Sequence, residues 1–244
     1  MKKLHDIQPS LTGCFLDYLM RRLICEIIPL IHFQDTGADH QCNIVSSCDC
    51  NGIITETNIK YSYFPVTMSE SYKKTRNTKL YKTEDILSEI FITSLSHTLC
   101  YKGILNEEKI LTIVNLIKTT EKINEIFIEP LKNVCLHLLE NSINVLLNPA
   151  LGGLIPELND GISSDCDLVI DNNLYDFKCT IGDHSTYEIL QLMGYSALIN
   201  CNPKFNTKID NIYIINILQG TIIQYNISSI TNKQMIKYLQ ILTQ

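Results

Sequence analysis

The chain has 244 residues, of which 45% are hydrophobic and 19% charged, a balance too apolar and too weakly charged for a disordered polymer. A chain of this length buries roughly 70–75% of its unfolded surface, so a large core is available and disulfides are not required. The net charge of −6 excludes a protein that holds nucleic acid or anionic membrane by bulk electrostatics and leaves that work to local patches.

Met1, Lys2 and Lys3 begin like a basic leader, but residues 4–10 are polar and interrupted by Pro9, so the apolar stretch of a signal peptide is missing. No run of about 18 apolar residues occurs, and no transmembrane helix is expected. Without such a leader the ten cysteines read as reduced thiols, which places the chain in the cytoplasm of a cell or of an infected host.

Leu11, Phe15, Tyr18, Leu19, Leu23 and Ile27 recur at helical spacing while Asp17, Arg21 and Arg22 take other positions. This pattern predicts an amphipathic helix with Ser10 as N-cap and Pro29 as its stop. From 35 to 68 the pattern weakens, and 53–57 and 59–64 read as short strands. Residues 71–82 hold Lys73, Lys74, Arg76, Lys79 and Lys82 with no acid among them from 73 on, and read as an exposed loop. Such a loop is either a solvated face or a phosphate-contacting arm, with Tyr72 and Tyr81 placed to stack on unpaired bases.

Helical stretches are expected at 83–101, 106–119 and 122–147. From Asn148 and Pro149 onward the character changes. Gly152, Gly153, Pro156 and Gly161 mark irregular backbone, and strand-like runs follow at 165–170, 174–179, 212–218 and 221–225. A helix over about 186–200, with Ser185 and Glu188 as a capping box, separates the second and third runs, and a last helix covers 229–241. The expected fold class is α/β. A mixed central sheet flanked by helices spans 148–244; a mainly helical N-terminal region, 1–147, has a few short strands and contributes one helix to the site, within one compact domain.

Residues 165–180 carry the chemistry. Asp171, Asn172 and Asn173 form a turn signal, since Asp and Asn tolerate left-handed backbone. A two-residue loop at Asn172 and Asn173 pairs 167 with 178 and 169 with 176. Cys166, Leu168, Ile170, Tyr175, Phe177 and Cys179 then share an apolar core face. The other face gathers Asp165, Asp167, Asp176, Lys178 and Thr180, with Val169 and Leu174 between them, and alanine at Asp176 or Lys178 should leave the fold intact. A slip of one residue would scatter both sets. Two converging carboxylates repel unless a cation lies between them, and such oxygen donors suit Mg²⁺ or Mn²⁺. A lysine beside them can orient or deprotonate a water, so phosphodiester hydrolysis is the natural reaction class.

An Asp, a short hairpin and then Asp176-Phe177-Lys178 resembles the core motif of the PD-(D/E)xK nuclease superfamily. Gln191 and Tyr195, four apart on the following helix, are similar to the Gln-x-x-x-Tyr motif of its RecB-like and lambda-exonuclease-like branch. Gly13 to Asp17 stands where that branch often has Gly-x-x-x-His, with Asp17 in place of the histidine. The runs 10–21 and 164–170, with Asn148 and Pro149, resemble a set of predicted nucleases of the same superfamily. The resemblance covers 150–205 well, 10–22 in part and the middle of the chain hardly at all. It implies a restriction-endonuclease-like fold and a Mg²⁺- or Mn²⁺-dependent deoxyribonuclease, endonuclease or exonuclease, whose partner is DNA or RNA. Asp167, Asp176 and the backbone carbonyl of Phe177 would bind metal, Lys178 would be the catalytic lysine, and Gln191 and Tyr195 would support the site or the DNA.

Each of these residues has a plainer reading. The hairpin charges could be a salt-bridged surface; Gln191 and Tyr195 could be ordinary helix packing; Asp165 could be a solvated strand end; Asp17 could simply pair with Arg21. The further acid that such sites draw from a helix could be Asp17 or Glu140, or else Glu157 or Glu26. His137 and His184 read as structural or solvent-facing. His40, Cys42, Cys48 and Cys50 lie within eleven residues, but not at the spacing of Cys-x-x-Cys knuckles, so zinc there is disfavoured. An Fe–S cluster is disfavoured because Cys166 and Cys179 belong to the core face. A catalytically inactive nucleic-acid-binding or assembly protein with the same fold is the alternative to the enzyme.

Overall fold

The computed structural model describes residues 9–28, 68–102, 112, 128–152, 155, 158, 162, 164–182 and 185–243. The expected strands at 53–57 and 59–64, nearly all of the expected helix at 106–119, the 40–50 zinc candidate, Glu157 and His184 lie outside them. The chain divides into two compact units, Met1–Glu140 and Asn141–Gln244.

The first unit is helical. Helix α1, Pro9–Ile27, has Pro9 rather than Ser10 at its start, where a fixed φ and a missing N–H cost nothing. The expected amphipathic helix is instead buried nearly all round, from Leu11 and Phe15 to Arg21, Arg22 and Cys25, and it packs against α3, Leu87–Lys102, and α4, Glu129–Leu139. Phe15 meets Phe91 edge to face with centroids 5.8 Å apart. In α3 the buried Thr93, Ser94 and Thr98 return their hydroxyls to the carbonyls of Glu89, Ile90 and Ser94, which lets a polar stripe lie in a core without unmet donors.

The expected basic loop is in part helix α2, Met68–Arg76, followed by turns and a 3₁₀ turn at Thr83–Asp85. What holds this segment is Arg22, fully buried. Its guanidinium donates to the carbonyls of Lys74, Thr75 and Tyr81 and to Thr83 Oγ1, and lies 3.4 Å from Glu26 Oε1. Five donors in a rigid fork suit a residue that must satisfy several strand-less carbonyls at once.

The second unit is built on a five-stranded sheet of order β1-β2-β3-β4-β5. Strand β1, Val145–Leu147, corrects the helix expected over 122–147, which ends at Leu139. The strands β2, Leu168–Ile170, and β3, Asn173–Lys178, follow antiparallel. Helix α5, Thr186–Cys201, crosses over to β4, Asn211–Asn216, which runs parallel to β3. Strand β5, Thr221–Asn226, closes the sheet antiparallel, and α6, Asn232–Leu242, packs on α5. The capping box expected at Ser185 and Glu188 is formed, as is a second one at Thr231 and Gln234.

The β2–β3 register differs from the expected one by two residues. Ile170 pairs with Asn173 and Leu168 with Tyr175, so the loop is Asp171-Asn172 and Asp171 takes the left-handed conformation, φ 52°. Its carboxylate accepts the backbone N–H groups of Ile143 and Asn144, which pins the turn one residue earlier than the Asn-Asn pair. A shift of two preserves the faces. The face of Val169 and Leu174 is nevertheless not a solvent face: with Ile212 and Ile214 it forms the core against Leu192, Leu198, Met235 and Leu239. Leu168, Ile170 and Tyr175 on the opposite face are buried too. Strand β2 and the start of β3 are therefore buried on both faces, in keeping with their continuous rather than alternating apolarity, whereas β5 at the edge is largely exposed.

Candidate functional site

Asp176 and Lys178 stand two apart on β3 and therefore share a face. Lys178 Nζ lies 2.7 Å from Asp176 Oδ2, and Asp176 is only 5% exposed. The ladder ends at Leu168 paired with Tyr175, and one step beyond it Asp167 stands across from Asp176. The chain bends at Asp167, and its Oδ2 accepts the Phe177 N–H at 2.7 Å. Alternation along the backbone turns the carbonyl of Phe177 toward the same side. The hairpin thus brings Asp167, Asp176 and Lys178 together through a different pairing from the expected 167 with 178.

Burial pushes the Lys178 ammonium toward neutrality, but the charge and hydrogen bond of Asp176, with the charges of Asp167 and Glu188, outweigh it and hold its pKa above the usual value. Helix α5 places Gln191 and Tyr195 over the acids. Gln191 Nε2 donates to the Tyr195 hydroxyl at 2.7 Å. Burial raises the pKa of that phenol, a hydrogen bond from Ser164 lowers it, and the fields of Asp176, Asp165 and Asp167 raise it further, so the hydroxyl keeps its proton. Asp165 is bridged to Ala150 and its charge is felt at the site.

Three residues near these acids were not singled out from sequence as site residues. Glu188, read only as a cap, also acts on Lys178; its spacing of three and seven from Gln191 and Tyr195 puts all three on one helix face. Ser164 touches Tyr195. Asn148, φ 46°, donates its N–H to the Asp167 carbonyl at 2.8 Å. Its side-chain amide is buried with no hydrogen-bond partner among the described residues, an arrangement that costs stability.

The remaining candidates belong to the first unit. Asp17 pairs with Arg21 at 2.6 Å. Glu26 accepts the N–H and hydroxyl of Thr83, a structural use. Glu140 is exposed beside His137, 3.8 Å away, which is itself 85% exposed. In the basic segment Lys74 pairs with Glu89 at 2.8 Å, Arg76 lies over the Tyr72 ring, and Tyr72 is buried, so that ring is not open to a base. Lys73, Lys79 and Lys82 are exposed.

Burial raises the thiol of Cys166 well above its usual value and that of Cys179 to about 11, as expected of core residues. Among the described residues no group of three or more His, Cys, Asp or Glu side chains is arranged to hold a metal ion, and no helix is long and apolar enough to cross a membrane. No family model matches the chain, and no match to it occurs among curated proteins or solved structures.

Proposed function

We propose that the chain is a metal-dependent deoxyribonuclease that hydrolyses phosphodiester bonds at Asp167, Asp176 and Lys178, on a restriction-endonuclease-like core within Asn141–Gln244. The observation that carries this reading is the convergence of two acids and an amine at the open end of one hairpin, under Gln191 and Tyr195. The antiparallel β2-β3 hairpin followed by helix α5 supports it, since the resemblance rests on an Asp, a hairpin, Asp-x-Lys and then Gln-x-x-x-Tyr on the next helix.

The donors fit Mg²⁺ or Mn²⁺. All are oxygens: two carboxylates and the Phe177 carbonyl. These three donors leave half of a six-fold sphere to water and phosphate, as these ions prefer. When bound, the ion supplies Lewis-acid stabilisation of charge developing on the phosphate. Lys178, beside Asp176, would orient the attacking water and neutralise phosphate charge. Tyr195 and Gln191 hold the acids' surroundings fixed and offer donors to the substrate.

Lys178→Met and Asp176→Asn, incubated with plasmid and linear DNA in Mn²⁺, should each lose cleavage by at least about a hundredfold, with far-ultraviolet circular dichroism showing the fold retained. A folded Lys178→Met protein that cuts as fast as the parent refutes the assignment. A non-catalytic nucleic-acid-binding protein is the second reading, favoured by the closed Asp176–Lys178 pair, which balances its charges without a ligand. Binding of DNA with no cleavage in either metal distinguishes it.

A further inference from the structure

A groove of about 580 Å³ runs between α5 and α6. Its lining includes Ser164, Gln191 and Tyr195, the last within the field of the acids, together with Tyr187, Tyr238 and Leu242. Among the described residues that line it none is charged, so it has no cation to pair with a phosphate. Tyr187 is 73% and Leu242 58% exposed, large side chains that the core does not account for. Gly194 lines the groove where α5 meets α6: a Cβ there would be in ordinary contact with Leu242 Cδ1 at 3.7 Å and Tyr238 Cε1 at 3.9 Å, and a longer side chain would reach further into the groove. Tyr238 is locked in place by its hydroxyl, which donates to the Leu190 carbonyl at 2.8 Å.

We infer that this groove takes an unpaired base of the strand whose phosphate lies at the acids, so that the substrate is single-stranded DNA or a strand frayed from a duplex. The inference rests on the nuclease reading for the position of the phosphate. A nucleobase is uncharged and flat, with an apolar face for Tyr187 and Tyr238 and a polar edge for Gln191, and it is tethered to the phosphate at the distance of one sugar. Base-on-aromatic stacking is tolerant of sequence and needs no charge. A paired base has both faces stacked and its edge occupied, and cannot enter.

The test is binding by fluorescence anisotropy in EDTA, where no strand is cut, with three labelled probes: a single-stranded oligonucleotide, the same backbone carrying abasic sites, and a blunt duplex of equal length. The single strand should bind best, and Tyr187→Ala, at an exposed position, should weaken it about tenfold while leaving the abasic strand unchanged. Gly194→Leu, which reaches into the groove, should do the same. Equal binding of abasic and normal strands, or an unaffected Tyr187→Ala, overturns the inference. So does a dimer in sedimentation velocity that Tyr187→Ala dissociates with no change in strand binding, because the groove is then a self-interface. Cleavage is scored separately in Mn²⁺. A protein that cuts without preferring single strands retains the nuclease reading and loses the groove, whereas one that binds single strands through Tyr187 and never cuts retains the groove and loses the nuclease.

Discussion

At Lys178 desolvation and attraction oppose each other, and attraction prevails. A lysine whose folded pKa is raised contributes stability fully below its unfolded value of about 10.4 and loses that contribution as pH rises through the folded value. Lys178→Met leaves a buried carboxylate uncompensated and should cost about 3 kcal/mol at pH 7. The gap between parent and variant, measured from urea midpoints, should narrow above pH 10 and stay constant from pH 6 to 9. A gap that closes near neutrality would show a lysine that titrates there, and with it a base. Asp176 at 5% exposure also corrects the expectation that alanine is harmless at this pair, since its face is the core face. Arg22 is a parallel case in the first unit. Arg22→Met strands three carbonyls and removes the cation beside Glu26, and should lower unfolding free energy by about 3–5 kcal/mol, read as a drop in the urea midpoint with an unchanged slope.

Elements whose signal is local were legible in the sequence, and those whose signal is not were missed. The α5 capping box is written in two residues, and the helix begins where they place it. Helix α2 buries Tyr72 beside Ser71 and Thr75, one apolar ring between two small hydroxyls, too little for an apolar periodicity to detect, so its charges read as a loop. Three-residue β1 is too short to be told from a helical run by period. The hairpin turn is pinned by Ile143 and Asn144, 28 and 27 residues away, a contact absent from any local pattern; yet face parity survived the error because the slip was two. Thus the site's members could be read, but their register, the closeness of Asp176 to Lys178 and the buried Asn148 amide could not. Within α5 a further consequence is testable. Gly194 has helical backbone and room for a methyl group in ordinary contact with Leu242 and Tyr238. Gly194→Ala should therefore raise stability by about 0.5–1 kcal/mol, seen as a higher melting temperature, and a destabilised variant would mean that the α5–α6 contact is tighter than this spacing allows.

For the whole molecule the governing quantity is charge. A chain of net charge −6 that is proposed to act on a polyanion must recruit it through exposed cations, and the basic segment at 71–82 has fewer of these than its sequence promised. Lys74 is tied to Glu89 and Arg76 lies on Tyr72, which leaves Lys73, Lys79 and Lys82 of that segment exposed. Each phosphate contact made by a lysine releases condensed counterions, and for a single strand the logarithm of affinity falls with the logarithm of salt by about 0.7 per contact. If all three lysines touch the strand, replacing them with alanine should reduce the magnitude of that slope by about 2 and weaken binding equally for every sequence. Replacing Tyr187 should instead lower affinity at every salt concentration without altering the slope, because stacking releases no ions. Anisotropy titrations over a range of salt therefore separate the two contributions, and an unchanged slope in the triple variant would identify the three lysines as a solvated face with no part in holding DNA.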